Sequence, residues 1–223
     1  MAFNYSPKIS TDGLVLCLDA ANTKSYPGSG TVWSDLSRGG NNGTLTNGPT
    51  FSSANGGSIV FDGIDDYVTR DSASFSLNAN SGATMGCWVK VSIGETQAIL
   101  LSHHQLNVNN GFRLQVYNGL LTYTLGGVAD YSTSINISDN QWKYIVASSI
   151  GSTSLVYING VLRSTISISS MIGVPNSYMI GKLGFTNTYY LSGSVSQVQI
   201  YNRALSSTEV LQNYNATKSR FGL

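Results

Sequence analysis

One stretch of the chain carries most of the fold information, and it reads Ser58-Ile59-Val60-Phe61-Asp62-Gly63-Ile64-Asp65-Asp66-Tyr67-Val68. Its first half places Ile59 and Phe61 two positions apart, which is the spacing of a half-buried β-strand. Gly63 then interrupts the strand, and a second apolar pair begins at Tyr67. The stretch therefore predicts two strands joined by an acidic corner.

Three carboxylates surround Gly63 at this corner, and they belong to Asp62, Asp65 and Asp66. Oxygen ligands of this kind can hold a hard cation such as calcium. The same carboxylates can instead accept backbone N–H bonds and stabilise an Asx-type turn. The twelve-residue loop of a helical calcium site is absent from the sequence. We therefore expect that no cofactor is required, with calcium at the three aspartates as the open alternative.

The segment Phe61–Val68 closely resembles a signature of laminin-G-like domains in the concanavalin A-like lectin/glucanase superfamily. Seven further motifs extend this resemblance, in the family's order, over nearly the whole chain: Leu14–Asp19, Trp33–Ser37, Asn41–Leu45, Gly86–Lys90, Asn140–Tyr144, Val156–Gly160 and Ile200–Ser206. The resemblance implies an all-β fold, a two-sheet antiparallel jelly-roll sandwich. It implies no single activity, because one fold hosts many functions.

Local turn and capping signals agree with this fold. Asn118-Gly119 and Asn159-Gly160 each separate two apolar runs, which predicts two hairpins with type I′ turns. Ser206 and Glu209 have the spacing of a capping box, which predicts one short C-terminal helix of about two turns that packs as a lid. We expect an N-terminal arm at 1–12, the jelly roll at 13–217, and a tail at 218–223 that is frayed or docks as a peptide.

Trp33 and the two cysteines each have two interpretations. Trp33 is a buried anchor or a platform on which a sugar stacks. Cys17 and Cys87 lie in strand-like apolar runs and are expected to be buried free thiols, with a disulfide in an oxidising compartment as the alternative. Trp88 follows Cys87 in a predicted strand, so the two side chains should point to opposite faces.

The chain lacks the residues of a typical hydrolase. A retaining glycosidase needs two carboxylates about 5 Å apart, yet the chain has only two glutamates, Glu95 in a polar turn and Glu209 at the helix cap. No pair of acids recurs on a convincing strand. The two histidines, His103 and His104, are adjacent and would point to opposite faces of a strand. We expect a non-enzymatic protein.

Aromatic residues are the remaining candidates for ligand binding. Tyr189 and Tyr190 lie in a predicted loop and can stack on sugar faces or anchor a protein interface. His103 and His104 are either a polar loop pair or further ligand contacts. These four residues are the candidate binding residues.

The low charge of the chain argues against nucleic acid and anionic membranes as partners. Charged residues make up 10% of the chain and the net charge is +1, against ~25% charged in ordinary soluble domains. Nothing here indicates nucleic acid or an anionic membrane as a partner. Residues 1–8 have no apolar signal-peptide region, so we expect synthesis in a cytoplasm.

The C-terminal segment Asn213–Phe221 resembles the end of laminin-G-like proteins encoded by tailed bacteriophages. This resemblance implies a virion component assembled in the host cytoplasm. The leading hypothesis is a non-enzymatic virion structural protein, a capsid decoration or tail appendage, whose partners are copies of itself and other virion proteins. The alternative is a lectin-like module that binds host surface glycans, with or without calcium.

Overall fold

The computed structural model describes residues 8–78, 81–104, 109–169, 176–184 and 186–223. Within these ranges the chain forms sixteen strands, one α-helix and two short 3₁₀ helices. In chain order the strands are β1 (Leu14–Asp19), β2 (Val32–Trp33), β3 (Gly43–Thr46), β4 (Thr50–Ser52), β5 (Ser58–Asp62), β6 (Tyr67–Arg70), β7 (Ala83–Val91), β8 (Gln97–His104), β9 (Phe112–Tyr117), β10 (Leu120–Leu125), β11 (Ala129–Asn136), β12 (Trp142–Ile150), β13 (Thr153–Ile158), β14 (Val161–Ser167), β15 (Ser177–Ile180) and β16 (Ser192–Tyr201). The helices are 3₁₀ at Ala54–Gly56, α1 at Ser207–Thr217, and 3₁₀ at Lys218–Phe221.

The strands form two antiparallel sheets of eight strands each. The first sheet has the order β14-β13-β12-β7-β16-β5-β4, and β1 also pairs with β16. The second has the order β11-β10-β9-β8-β15-β6-β3-β2. The acidic corner joins β5 of the first sheet to β6 of the second, as the strand–corner–strand pattern requires. The all-β, two-sheet sandwich with one short C-terminal helix is confirmed.

The main core lies between the two sheets. Trp33 is fully buried there, which confirms its prediction as an anchor and removes it as a sugar platform. Cys87 points into this core, whereas Trp88 belongs to a second apolar cluster, so the expected alternation along β7 is confirmed. Cys17 and Cys87 are both buried free thiols, and burial raises the pKa of each to about 12.

A second apolar cluster covers part of the other face of the first sheet. It joins side chains of the sheet to Leu205 and to Val210 of α1. The capping box is present, because Ser206 Oγ accepts from Glu209 N and the Glu209 carboxylate accepts from Ser206 N. The helix has eleven residues, about three turns. It is thus about one turn longer than predicted, and it packs over this second cluster, outside the main core between the sheets.

Both predicted hairpins are present. Asn118 and Gly119 have φ of 50° and 76°, and Asn159 and Gly160 have φ of 53° and 77°. Positive φ at both central residues is what a type I′ turn requires. The first of these hairpins, β9–β10, provides the platform of the site described below.

Two residues of the predicted C-terminal tail at 218–223 make contacts with the sandwich. Phe221 stacks on Trp88 with ring centroids 4.0 Å apart, and it lies 4.8 Å from the Trp142 ring. Arg220 Nη1 pairs with the buried Asp19 carboxylate at 2.7 Å. Arg220 and Phe221 therefore contact the sandwich, because one pairs with a buried charge and the other covers an aromatic face.

At the other end, the predicted arm is described from residue 8 onward, and residues 1–7 lie outside the described part. Ser10 N donates to Asn213 Oδ1 at 2.7 Å, and Arg203 pairs with Asp12. Residues 8–12 are thereby held against α1 and the loop that precedes it.

Among the described residues, no helix has the length and apolar character needed to cross a membrane.

Candidate functional site

The platform of the candidate site is the outward face of the β9–β10 hairpin. Side chains alternate along a strand, so Phe112, Leu114 and Val116 enter the core while Arg113 and Gln115 point outward. Both outward side chains are nevertheless buried, at 7% and 6% exposure. Polar side chains that are this deeply buried need partners.

A hydrogen-bonded cluster supplies partners for Gln115. Its Nε2 donates to Thr124 Oγ1 at 2.8 Å and to Asp130 Oδ1 at 3.3 Å. Thr124 Oγ1 in turn donates to the same Asp130 oxygen at 2.5 Å. Three neighbouring strands, β9, β10 and β11, thus hold one carboxylate in a fixed position.

Arg113 lies beside this cluster. Its Nη1 donates to Asn109 Oδ1 at 2.9 Å. Burial lowers the pKa of Arg113, and the charge of Asp130 opposes that shift. An arginine remains protonated in proteins even so, so a cation and a carboxylate line the same site.

The loop that follows β15 forms one wall of the site. Tyr189 has a φ of 59°, a left-handed conformation that is uncommon outside glycine. Its carbonyl accepts from Ile99 N at 3.0 Å, at the position where a bulge shifts the β8 register. The partly buried Tyr189 lines the same cavity as Arg113.

These elements enclose a groove, which we call the β9–β11 groove. It consists of a cavity of about 400 Å³ and a second of about 300 Å³, and Arg113 and Asp130 line both. The first is also lined by Gln115, Tyr117, Leu183, Thr186, Thr188 and Tyr189. The second is also lined by Asn109, Thr124, Leu125, Gly127, Val128 and Ala129. Such volumes are in the range of small-ligand sites.

A larger cavity of about 540 Å³ lies beside residues 11–14. Two of its polar side chains already have partners within the fold: Asp12 pairs with Arg203, and Ser37 Oγ donates to the Val15 carbonyl and to Asp35. No aromatic side chain is among its described lining residues. It therefore lacks the aromatic wall that Tyr189 gives the β9–β11 groove.

The structure separates the two candidate tyrosines. Tyr189 lines the groove, whereas Tyr190 lies near Tyr67 and Asp65, on the side of the acidic corner. Burial raises the pKa of Tyr190, and these two neighbours raise it further. The two rings thus do not form one stacking platform.

The two histidines do not form a polar loop pair, because both belong to β8 and both are buried. His103 points into the core and stacks on Phe75 at 5.0 Å, and burial lowers its pKa to about 3. His104 points to the opposite face, where Gly184 covers its ring so closely that a Cβ at 184 would overlap it. Neither ring is open to a ligand, so the structure removes both from the candidate binding residues.

The acidic corner brings Asp62, Asp65 and Asp66 together, with one carboxylate oxygen of each within 4.8 Å of the others. Ligands at ~2.4 Å from one ion would have this separation, so the residues fit a hard cation. They also form a turn: Asp62 Oδ1 accepts from Ile64 N at 2.8 Å, and Asp66 Oδ2 accepts from Asp62 N at 3.0 Å. Burial raises the pKa of Asp66, and the Asp62 and Asp65 charges add to this effect.

Comparison with known proteins places the chain in a family. A family model described as the concanavalin A-like lectin/glucanases superfamily, in its laminin G form, matches residues 62–211. The chain belongs to this superfamily. No curated protein matches the sequence.

Solved structures of the same fold include toxin and sialidase domains. The binding domain of Paraclostridial Mosquitocidal Protein 1 has a TM-score of 0.73 and 19% identity, over 92% of this chain and 52% of that one. The botulinum neurotoxin serotype D ligand binding domain, in complex with N-acetylneuraminic acid, has a TM-score of 0.70 and 14% identity, over 92% and 51%. Trypanosoma rangeli sialidase in complex with sialic acid has a TM-score of 0.69 and 17% identity, over 95% and 34%. The chain spans only part of the length of each.

Proposed function

We propose that this superfamily member is a lectin-like module that binds glycans in the β9–β11 groove. The observation that carries the proposal is the fixed set of polar side chains, Arg113, Gln115 and Asp130, beside the Tyr189 ring. These groups are held in place before any ligand arrives, which lowers the entropy cost of binding.

The chemistry of the groove suits a sugar. Hydroxyl groups both donate and accept hydrogen bonds, so they match a site that offers a guanidinium, an amide and a carboxylate. The C–H face of a sugar ring is apolar and can pack on an aromatic side chain such as Tyr189. Two of the similar structures were solved with a sialic acid, which supports the proposal at the level of the fold.

We propose that the module binds without catalysis. Glu209 is occupied by its ion pair with Arg203 and by the helix cap, and Glu95 Oε1 accepts from Thr96 N and Gln97 N. Asp130 is the single carboxylate among the described lining residues of the groove. The common glycosidase mechanism, with an acid and a base or nucleophile, uses two.

The virion role stays a separate proposal that we rank below glycan binding. The segment Asn213–Phe221 carries the resemblance to phage proteins, and its residues also have structural tasks in this fold. Asn213 and Thr217 are buried, and Phe221 stacks on Trp88. Packing alone therefore accounts for these residues, and copies of the chain or virion proteins as partners rest on the resemblance.

A glycan array followed by calorimetric titration of a bound glycan tests the proposed function. Tyr189→Asn tolerates the left-handed backbone but removes the ring, and we expect it to weaken binding by about tenfold, the equivalent of about 1.4 kcal/mol. Tyr189→Phe keeps the ring and should retain most of the affinity.

Tyr190→Asn is the matched control, because the neighbouring ring lies outside the groove, and it should bind as the wild type does. An array without any bound glycan would contradict the proposed function. Equal loss of affinity in the Tyr189 and Tyr190 variants would contradict the location of the site.

A further inference from the structure

We infer that the groove accepts an uncharged oligosaccharide of at least two sugar units, an inference that rests on the glycan-binding function proposed above. The inference combines the charge balance of the groove with its shape. It names a class of glycan that differs from the sialic acids bound by the similar structures.

The charges of the groove cancel. Arg113 is the only Lys, Arg or His and Asp130 the only Asp or Glu among its described lining residues, and both line its two halves. The Asp130 carboxylate is fixed, because Thr124 and Gln115 both donate to its Oδ1. It cannot swing away from an approaching ligand without breaking two hydrogen bonds.

This arrangement favours hydroxyl groups over a carboxylate. A sugar carboxylate that paired with Arg113 would come close to the fixed negative charge of Asp130, and like charges repel strongly in a partly buried site. Neighbouring sugar hydroxyls have no such conflict, because one can accept from Arg113 while another donates to Asp130.

The shape of the groove favours more than one sugar unit. The two cavities, of about 400 and 300 Å³, lie next to each other and share Arg113 and Asp130 as lining residues. One half offers the rings of Tyr117 and Tyr189, and the other offers the amide of Asn109. A single sugar would use only one of these halves, whereas a chain of sugars would contact both and pass over the charged pair.

The test uses the full chain and a glycan array that pairs each neutral oligosaccharide with its counterpart capped by sialic acid. Calorimetric titration then compares the best neutral oligosaccharide, its capped counterpart and its terminal monosaccharide. We expect the neutral oligosaccharide to bind at least about tenfold more tightly than either of the other two.

Asp130→Asn provides the variant that isolates the charge, since an amide oxygen still accepts from Thr124 and Gln115. We expect the preference for neutral over capped glycans to shrink by about three- to tenfold in this variant. Asp139→Asn is the matched control, because Asp139 pairs with Lys143 and does not line the groove. It should leave the preference unchanged.

Each outcome separates this inference from the proposed function. Binding of capped glycans as tightly as neutral ones, or an unchanged preference in Asp130→Asn, would overturn the charge argument while glycan binding stood. Equal affinity for the monosaccharide and the oligosaccharide would overturn the length argument. Failure of every glycan to bind would overturn the proposed function itself.

Discussion

Replacing Phe221 with alanine tests whether the end of the chain belongs to the domain. The Phe221 ring stacks on Trp88 at 4.0 Å and lies 4.8 Å from Trp142. Truncating a fully buried Phe costs about 3–5 kcal/mol, and an aromatic pair adds about 0.5–1.5 kcal/mol to the burial term. Because Phe221 is only partly buried, we expect a loss of about 2 kcal/mol in the free energy of unfolding.

In a chain of this length each 1 kcal/mol shifts the melting temperature by about 2–4 °C, so we expect Phe221→Ala to melt about 4–8 °C lower. Urea denaturation followed by tryptophan fluorescence measures the free energy directly, and calorimetry measures the melting temperature. Leu223→Ala is the control: Leu223 is 50% exposed, and its replacement should cost less than about 0.5 kcal/mol. If Phe221→Ala also fell within that limit, the stacking would contribute nothing and the terminal residues would behave as a tail.

Three further predictions address the loop wall of the β9–β11 groove, the cap of α1 and the acidic corner. Gly184→Ala would push the loop after β15 away from His104. We expect this variant to lose about 1–3 kcal/mol in the free energy of unfolding and to bind glycans more weakly. Adding His104→Ala to the same chain should restore part of both losses. Arg203 holds the pKa of Glu209 at about 2, below the ordinary 4.5. The ion pair therefore stabilises the fold fully above about pH 4.5, and this contribution is lost as the pH falls toward 2. Glu209→Gln should flatten the pH dependence of the free energy of unfolding in this range, and an unchanged pH dependence would contradict the prediction. EDTA should leave the melting temperature unchanged, because the Asp62 and Asp66 carboxylates already accept backbone N–H bonds, whereas a drop in EDTA that calcium reverses would show a metal site.

Local signals in the sequence were sufficient for much of the fold. The hairpin turns at Asn118-Gly119 and Asn159-Gly160 depend on the φ angles of two adjacent residues, and the capping box depends on groups three residues apart. Alternation along β9 likewise places Phe112 and Leu114 on one face of the strand. These features need no knowledge of distant parts of the chain, so the sequence predicts them.

The groove depends on contacts between distant segments, and the sequence could not predict it. Tyr189 reaches Arg113 only because β15 pairs with β8 and the following loop crosses the outward face of the sheet. The outward polar residues of β9 were visible as a pattern, but nothing local showed that Thr124 and Asp130 would bury and fix Gln115.

Tertiary structure also decided how individual residues are used. Adjacent histidines read as a polar pair, yet β8 is a central strand, so His103 enters the core and His104 is covered by Gly184. The C-terminal residues were predicted to be a tail, yet Arg220 pairs with the buried Asp19 and Phe221 stacks on Trp88. Periodicity and turn chemistry are properties of neighbouring residues and are written in the sequence, whereas burial and pairing depend on which distant surfaces the fold brings together.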